Sequence, residues 1–178
     1  MPASFMATER DVETSLPPRP RLLSERIRAL VARLEPDLPV YDLCCDHGLI
    51  GLLAWQEDPQ RPVTFVDQSS AALEALQKEL SKERYQKAPL TVEICEAESL
   101  GPLSSSSNIV IAGVGNATIL RILHKLVPER APPHRLVLCS QQEPTPLLRH
   151  GEERGWILLE SHPVNERGRV RTILSFKN

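Results

Sequence analysis

Trp156-Ile157-Leu158-Leu159-Glu160-Ser161-His162-Pro163-Val164 and Val170-Arg171-Thr172-Ile173-Leu174-Ser175-Phe176 are two strand-like runs. Only Asn165-Glu166-Arg167-Gly168-Arg169 stands between them. A parallel crossover needs about a dozen or more residues, so a polar link this short makes the pair an antiparallel hairpin. Everything upstream follows another rhythm, in which strands alternate with helices.

Val40 to Cys44, Pro62 to Val66, Leu90 to Cys95, Asn108 to Ala112 and Arg135 to Cys139 are short apolar runs of the kind that form buried strands. Between them the apolar residues recur at helical spacing. Helices are expected over Leu49 to Glu57, with Asp46 placed as cap, and over Ser70 to Tyr85, with Ala72, Leu73, Leu76 and Leu80 inward. Further helices are expected over Ala117 to Val127 and Thr145 to Arg154. Ahead of the first strand, Leu23, Ile27, Leu30, Val31 and Leu34 mark another helix. It starts either at a Ser24 cap or nearer Leu22, it keeps Arg26, Arg28 and Arg33 off its apolar face, and Pro36 and Pro39 close it. Alternation of this kind builds a mostly parallel sheet with helices on both faces. With the hairpin, the count is seven strands.

Residues 1–20 are polar, aperiodic and proline-terminated, and read as a flexible tail. Residues 21–178 read as one domain, a length sufficient for a sizeable core. Hydrophobic residues are 41% and charged residues 25%, an ordinary globular balance. No run approaches the ~20 apolar residues of a membrane helix, and no secretory leader is evident, so a cytoplasmic location is expected. The four cysteines, Cys44, Cys45, Cys95 and Cys139, lie in or beside strand-like runs without a C-x-x-C pair. Reduced core thiols are expected, and no metal site.

In open sheets of this type ligands lie beyond the carboxyl ends of the strands. Those ends carry Asp42, Cys44, Cys45, Asp46, His47 and Gly48 in the first case, and Asp67 with Gln68 in the second. Glu96, Ala97 and Glu98 follow the third strand, and Gly113, Gly115 and Asn116 the fourth. Asp67 suits a ribose diol, or else caps the next helix. Glu96 suits an adenine amino group, or is a solvated loop acid. Gly113 and Gly115 allow close backbone approach, a tight turn, or both. The first loop is acidic and lacks a phosphate cradle. That favours S-adenosylmethionine, with its ammonium and sulfonium, over NAD or ATP.

Asp42-Leu43-Cys44-Cys45-Asp46-His47-Gly48-Leu49-Ile50 resembles the D-I-G-S-D-H-A-Y-L-P loop of the bacterial tRNA (adenine-22, N1) methyltransferase family, TrmK. Ile109-Val110-Ile111-Ala112-Gly113-Val114-Gly115-Asn116 is similar to that family's I-V-I-A-G-M-G-G segment, and Leu23-Ser24-Glu25-Arg26-Ile27 to its opening L-S-x-R-L helix. The order continues through Arg135-Leu136-Val137-Leu138, Leu147-Leu148-Arg149 and Gly155-Trp156, so that the likeness spans residues 22–176.

The resemblance implies a Rossmann-like class I S-adenosylmethionine-dependent methyltransferase, with S-adenosylmethionine as donor and N1 of a tRNA adenine as acceptor. Asp42, Cys44, Gly48, Asp67, Gln68, Glu96, Ala97, Gly113 and Gly115 then fall at cofactor positions. Asp46 and His47 fall at catalytic positions, and Asn116, Arg26 and Gln141 at substrate positions. Helix-cap and buried structural roles remain the competing readings of Asp46 and His47.

Cys44 stands where the family has its first glycine, Asn116 replaces the second glycine of the G-G pair, and Cys139-Ser140-Gln141 replaces Q-P-N. The family's C-terminal helical extension is expected to be missing after the hairpin. A net charge of −2 does not mark a nucleic-acid binder. The basic surface for RNA is expected from Arg19, Arg21, Arg26, Arg28 and Arg33, with Arg149, Arg154, Arg167, Arg169 and Arg171. Interleaved glutamates leave an ordinary solvated surface as the other reading.

Overall fold

The computed structural model describes residues 23–178; the expected tail, with Arg19 and Arg21, lies outside them. The elements run α1 (Glu25–Val31), β1 (Val40–Leu43), α2 (Leu49–Glu57), β2 (Val63–Asp67), α3 (Ser70–Leu80), β3 (Leu90–Ile94), β4 (Asn108–Ala112), α4 (Asn116–Leu126), β5 (Arg135–Cys139), α5 (Thr145–Glu153), β6 (Ile157–Glu166) and β7 (Arg169–Lys177). They build one seven-stranded sheet in the order β3-β2-β1-β4-β5-β7-β6. The first five strands are parallel, and β7 runs antiparallel to both β5 and β6. The chain winds outward from β1 through β2 to β3, then returns to place β4 on the other side of β1. The strand order therefore switches between β1 and β4, which opens a crevice at their carboxyl ends.

Central strand β4 is buried along its whole length, as a parallel strand covered on both faces must be. Its odd residues Ile109 and Ile111 face one apolar layer with α4, and Val110 and Ala112 face the other with α1, α2 and α3. Helix α2 lies close on the sheet because Gly51 has no side chain. A Cβ there would come within 2.4 Å of Phe65 Cε1 and 2.9 Å of Val63 Cγ1.

Local chemistry moves several expected boundaries. Ser24 caps α1, its hydroxyl accepting from Ile27 N at 3.3 Å, and the helix ends at Val31, well before Pro36. Helix α3 ends at Leu80. Glu83–Tyr85 form a separate 3-10 turn that buries Tyr85 against Trp55, ring centroids 5.1 Å apart. The hairpin zips two residues further than its polar link suggests, to the pair Glu166 and Arg169. Only Arg167 (φ 50°) and Gly168 (φ 80°) remain in the turn. Two positive φ angles match the twist of the flanking strands, so the shorter turn is the favoured one. No helix of the described residues is long and apolar enough to cross a membrane.

Candidate functional site

The crevice has two lobes that meet at Cys44, Asp46 and Gly113, the carboxyl ends of β1 and β4. One lobe, of about 400 Å³, runs toward β2 and β3 and is bordered by Asp67, Gln68, Glu96, Ala97 and Glu98. The other, of about 580 Å³, runs under the β6–β7 hairpin and is bordered by Arg26, His47, Gln141, Arg167, Arg169 and Arg171. Their charges differ. The first holds the carboxylates of Asp46, Asp67, Glu96 and Glu98 against the single guanidinium of Arg121. The second holds four guanidiniums against Asp46 and Glu166.

Asp67 organises the acidic lobe. Its Oδ2 accepts the Asp46 backbone N–H at 3.0 Å and its Oδ1 accepts the Ser69 N–H at 2.9 Å. Capping of α3 falls instead to Ser69, whose hydroxyl accepts from Ala72 N at 3.2 Å. A carboxylate offers about four lone-pair sites, so two remain for a ligand in the lobe. Glu96 is exposed at the rim and Ala97 is buried in the wall. Glu98 and Arg121 pair across the outer edge.

The loop after β1 is held by unusual backbone geometry. Cys44 (φ 55°) and Asp46 (φ 51°) both take the left-handed conformation. Asp46 tolerates it better, since a short polar side chain bonds locally, whereas Cys44 does so at a cost of roughly 1–2 kcal/mol. Cys44 thus adopts a backbone that glycine takes freely while placing a thiol at the junction of the lobes. Burial, with the charge of Asp67 nearby, pushes that thiol up to about 11, so it stays protonated. Burial raises Cys45 and Cys139 as well. None of the three serves as a thiolate at neutral pH.

The helix-cap reading of Asp46 and the buried reading of His47 do not hold, and one residue expected at a cofactor position is buried. Asp46 does not cap α2; the cap position is Gly48 (φ 66°), which makes no side-chain bond, and the Asp46 side chain is 69% exposed in the cleft. His47 is not a buried structural imidazole: it is 61% exposed, with Nε2 3.8 Å from Asp46 Oδ1. Asp42, expected at a cofactor position, does not line the crevice. It is 1% exposed beneath α2, where Oδ2 accepts the Gly51 N–H at 2.8 Å. Burial raises its pKa from 3.8 to about 7, partly offset by that hydrogen bond, with Asp67 raising it a little further.

Gly48, Gly115 and Asn116 also stand behind the cleft wall. Gly48 N donates to Cys45 O at 2.8 Å, and a Cβ at this residue would strike Leu76. Asn116 Nδ2 donates to Glu143 O and its backbone N to Gln142 Oε1, both at 2.8 Å, which anchors the β5–α5 loop to the start of α4. Gly113 (φ 81°) is open to both lobes; the nearest atom to a Cβ placed there is Arg26 Nη1 at 3.8 Å. Gln141 closes the floor through its backbone N to Val114 O at 2.9 Å and its side chain to Gly113 O.

Of the arginines named from sequence, Arg26, Arg167, Arg169 and Arg171 line the basic lobe; Arg28, Arg149 and Arg154 do not. Arg33 Nη2 meets Glu160 at 2.5 Å, and Arg154 donates to Val127 O at 2.8 Å. Sequence reasoning missed Thr118 and Arg121 of the acidic lobe and Glu166 of the basic one. The helical period of α4 does put Thr118, Arg121 and Ile122 on one face, a signal that could have found the first two; nothing local marks Glu166.

Residues 23–174 match the family described as a methyltransferase domain. The chain belongs to the methyltransferase domain family. The solved structures agree on the fold. The m1A22 tRNA methyltransferase TrmK of B. subtilis superposes with a TM-score of 0.76 at 17% identity, over 88% of this chain and 66% of its own. TrmK of M. capricolum, in complex with S-adenosyl-homocysteine, gives 0.74 at 14% identity, over 86% and 68%. The Streptococcus pneumoniae Sp1610 structure with S-adenosyl-L-methionine gives 0.73 at 16%, over 88% and 73%. The chain thus spans about two thirds of the length of the TrmK structures it matches. No curated protein matches it by sequence.

Proposed function

We propose that this methyltransferase transfers a methyl group from S-adenosylmethionine to N1 of an adenine in tRNA, in the cytoplasm. One observation carries the reading. An acidic lobe and a basic lobe meet at the strand-order switch, with Asp46 at the junction. A donor bearing ammonium and sulfonium charges is favoured among carboxylates, and a polyanionic acceptor among guanidiniums. The TrmK likeness is one of fold, and it agrees with both halves.

The residues of the acidic lobe fit the donor. Asp67 keeps free lone pairs for the ribose diol, Glu96 stands at the rim for the adenine amino group, and Gly113 leaves room for close approach. Gln68 and Ala97 complete the wall. S-adenosylmethionine, when bound, supplies an activated methyl group. The protein then has to orient the acceptor. Adenine N1 carries its lone pair in the ring plane and is unprotonated at neutral pH, so no base is needed before attack. Methylation leaves the ring cationic. Asp46, exposed at the junction, stabilises that charge or orients the exocyclic amino group, and His47 shapes the pocket beside it. Holding both partners in line supplies much of the rate.

Methylation of unmodified tRNA with tritiated donor, followed by nucleoside analysis, tests the reading. It is expected to give label in 1-methyladenosine. Label confined to small molecules or protein would reassign the acceptor, and no label in any acceptor would leave a binding module.

A further inference from the structure

We propose that the β6–β7 hairpin tip is a phosphate clamp, in which Arg167 and Arg169 grip the RNA backbone beside the base being methylated. The inference rests on the acceptor reading above and names the residues that seat the acceptor. Four arginines line the basic lobe, and they divide into two pairs. Arg26 of α1 and Arg171 of β7 are engaged by Glu166: Arg26 Nε lies 2.6 Å from Oε1 and Arg171 Nε 3.7 Å from Oε2. Arg171 also donates to Gln141 O. These contacts tie the last residue of β6 to α1, to β7 and to the β5–α5 loop. Arg167 and Arg169 flank Gly168 at the tip, are exposed, and make no ion pair among the described residues. Both still line the lobe.

The arrangement separates support from ligand binding. Glu166 neutralises the two inner guanidiniums and braces the strand, so Arg167 sits on a firm two-residue turn and Arg169 on the first residue of β7, rather than on a long loop. Arginine presents a planar fork that matches a phosphate bidentately. A free nucleoside or a neutral small acceptor would leave both forks unused. Phosphodiesters on either side of a target nucleotide would occupy them while the base enters the lobe toward Asp46. The occupant is therefore a nucleotide within an RNA strand.

The test uses the whole chain, with Arg167→Gln, Arg169→Gln, the double variant, and Lys125→Gln as a charge-removal control on the exposed side of α4. Affinity for unmodified tRNA is measured by anisotropy across a salt series, alongside KM for tRNA and calorimetric binding of S-adenosylhomocysteine. The double variant is expected to weaken tRNA binding about tenfold. It is also expected to lower the slope of log affinity against log salt by between one and two, at about 0.7–0.9 for each phosphate no longer neutralised. S-adenosylhomocysteine affinity is expected to hold, which also reports an intact fold. Arg167→Lys with Arg169→Lys is expected to restore the salt slope but only part of the affinity. Equal effects from Lys125→Gln and the double variant, or an unchanged salt slope in the double variant while the parent methylates tRNA, overturn the clamp alone. A parent chain that neither binds nor methylates tRNA overturns the acceptor reading and the clamp together.

Discussion

Asp67 and Asp46 are joined beside the crevice: the carboxylate at the end of β2 accepts the backbone N–H of the residue that marks the junction of the two lobes, at 3.0 Å. One side chain therefore shapes the acidic lobe and fixes the loop that carries Asp46.

Asp67→Ala is expected to weaken S-adenosylhomocysteine binding by at least tenfold, because it removes the acceptor proposed for the ribose diol and frees the β1–α2 loop. Asp67→Asn keeps one acceptor oxygen but cannot serve both the Asp46 and the Ser69 N–H, so it should fall between the two. Calorimetry on the three proteins measures the order.

Asp46→Asn keeps a residue that tolerates the left-handed backbone and removes only the charge. The expected result is a kcat on tRNA lower by about 10²-fold, in line with loss of one group that stabilises charge in the transition state. S-adenosylhomocysteine affinity should change by less than about threefold. Equal losses in both measurements would move Asp46 from the transfer step to the donor site.

Cys44 adopts a φ of 55° that a glycine adopts freely. Cys44→Gly is expected to raise stability by about 1 kcal/mol in chemical denaturation, less the entropy that glycine adds to the unfolded chain. Widening the junction should leave S-adenosylmethionine binding equal or tighter. Alkylation of the parent thiol at pH 7 should be slow, because a pKa of about 11 keeps it protonated.

Asp42 gives the chain a pH dependence of definite sign. Its pKa is about 7 in the folded protein against 3.8 in the unfolded chain. Between these values the folded state holds more of its proton, so this group's contribution to stability falls as pH rises from about 4 to 7. Asp42→Asn keeps an acceptor for the Gly51 N–H and carries no charge. It should therefore gain on the parent across that interval, by on the order of 1–3 kcal/mol at pH 8. Urea midpoints at pH 4.5, 6 and 8 measure the trend.

Much of the fold was legible because periodicity and spacing are strong local signals. The short link after Val164 forced an antiparallel pair, and Asp67 at the end of a buried strand marked the acidic lobe. What stayed hidden depended on tertiary context. Asp42 and Asp46 are four residues apart with the same chemistry, yet Asp42 is sealed beneath α2 and Asp46 is in the cleft. The difference arises from the left-handed turn at Cys44, which no propensity assigns to cysteine. Likewise, four arginines in the basic lobe read alike in sequence. Only the position of Glu166 between Arg26 and Arg171 separates those that brace the hairpin from those left free at its tip.

Calorimetric titration of S-adenosylmethionine into the full chain, with NAD and ATP run in parallel, bears most directly on the acidic lobe as the donor site. Saturable one-to-one binding of S-adenosylmethionine, weakened at least tenfold by Asp67→Ala and not matched by NAD or ATP, is the expected result. Absence of binding, or binding that Asp67→Ala leaves unchanged, would contradict it.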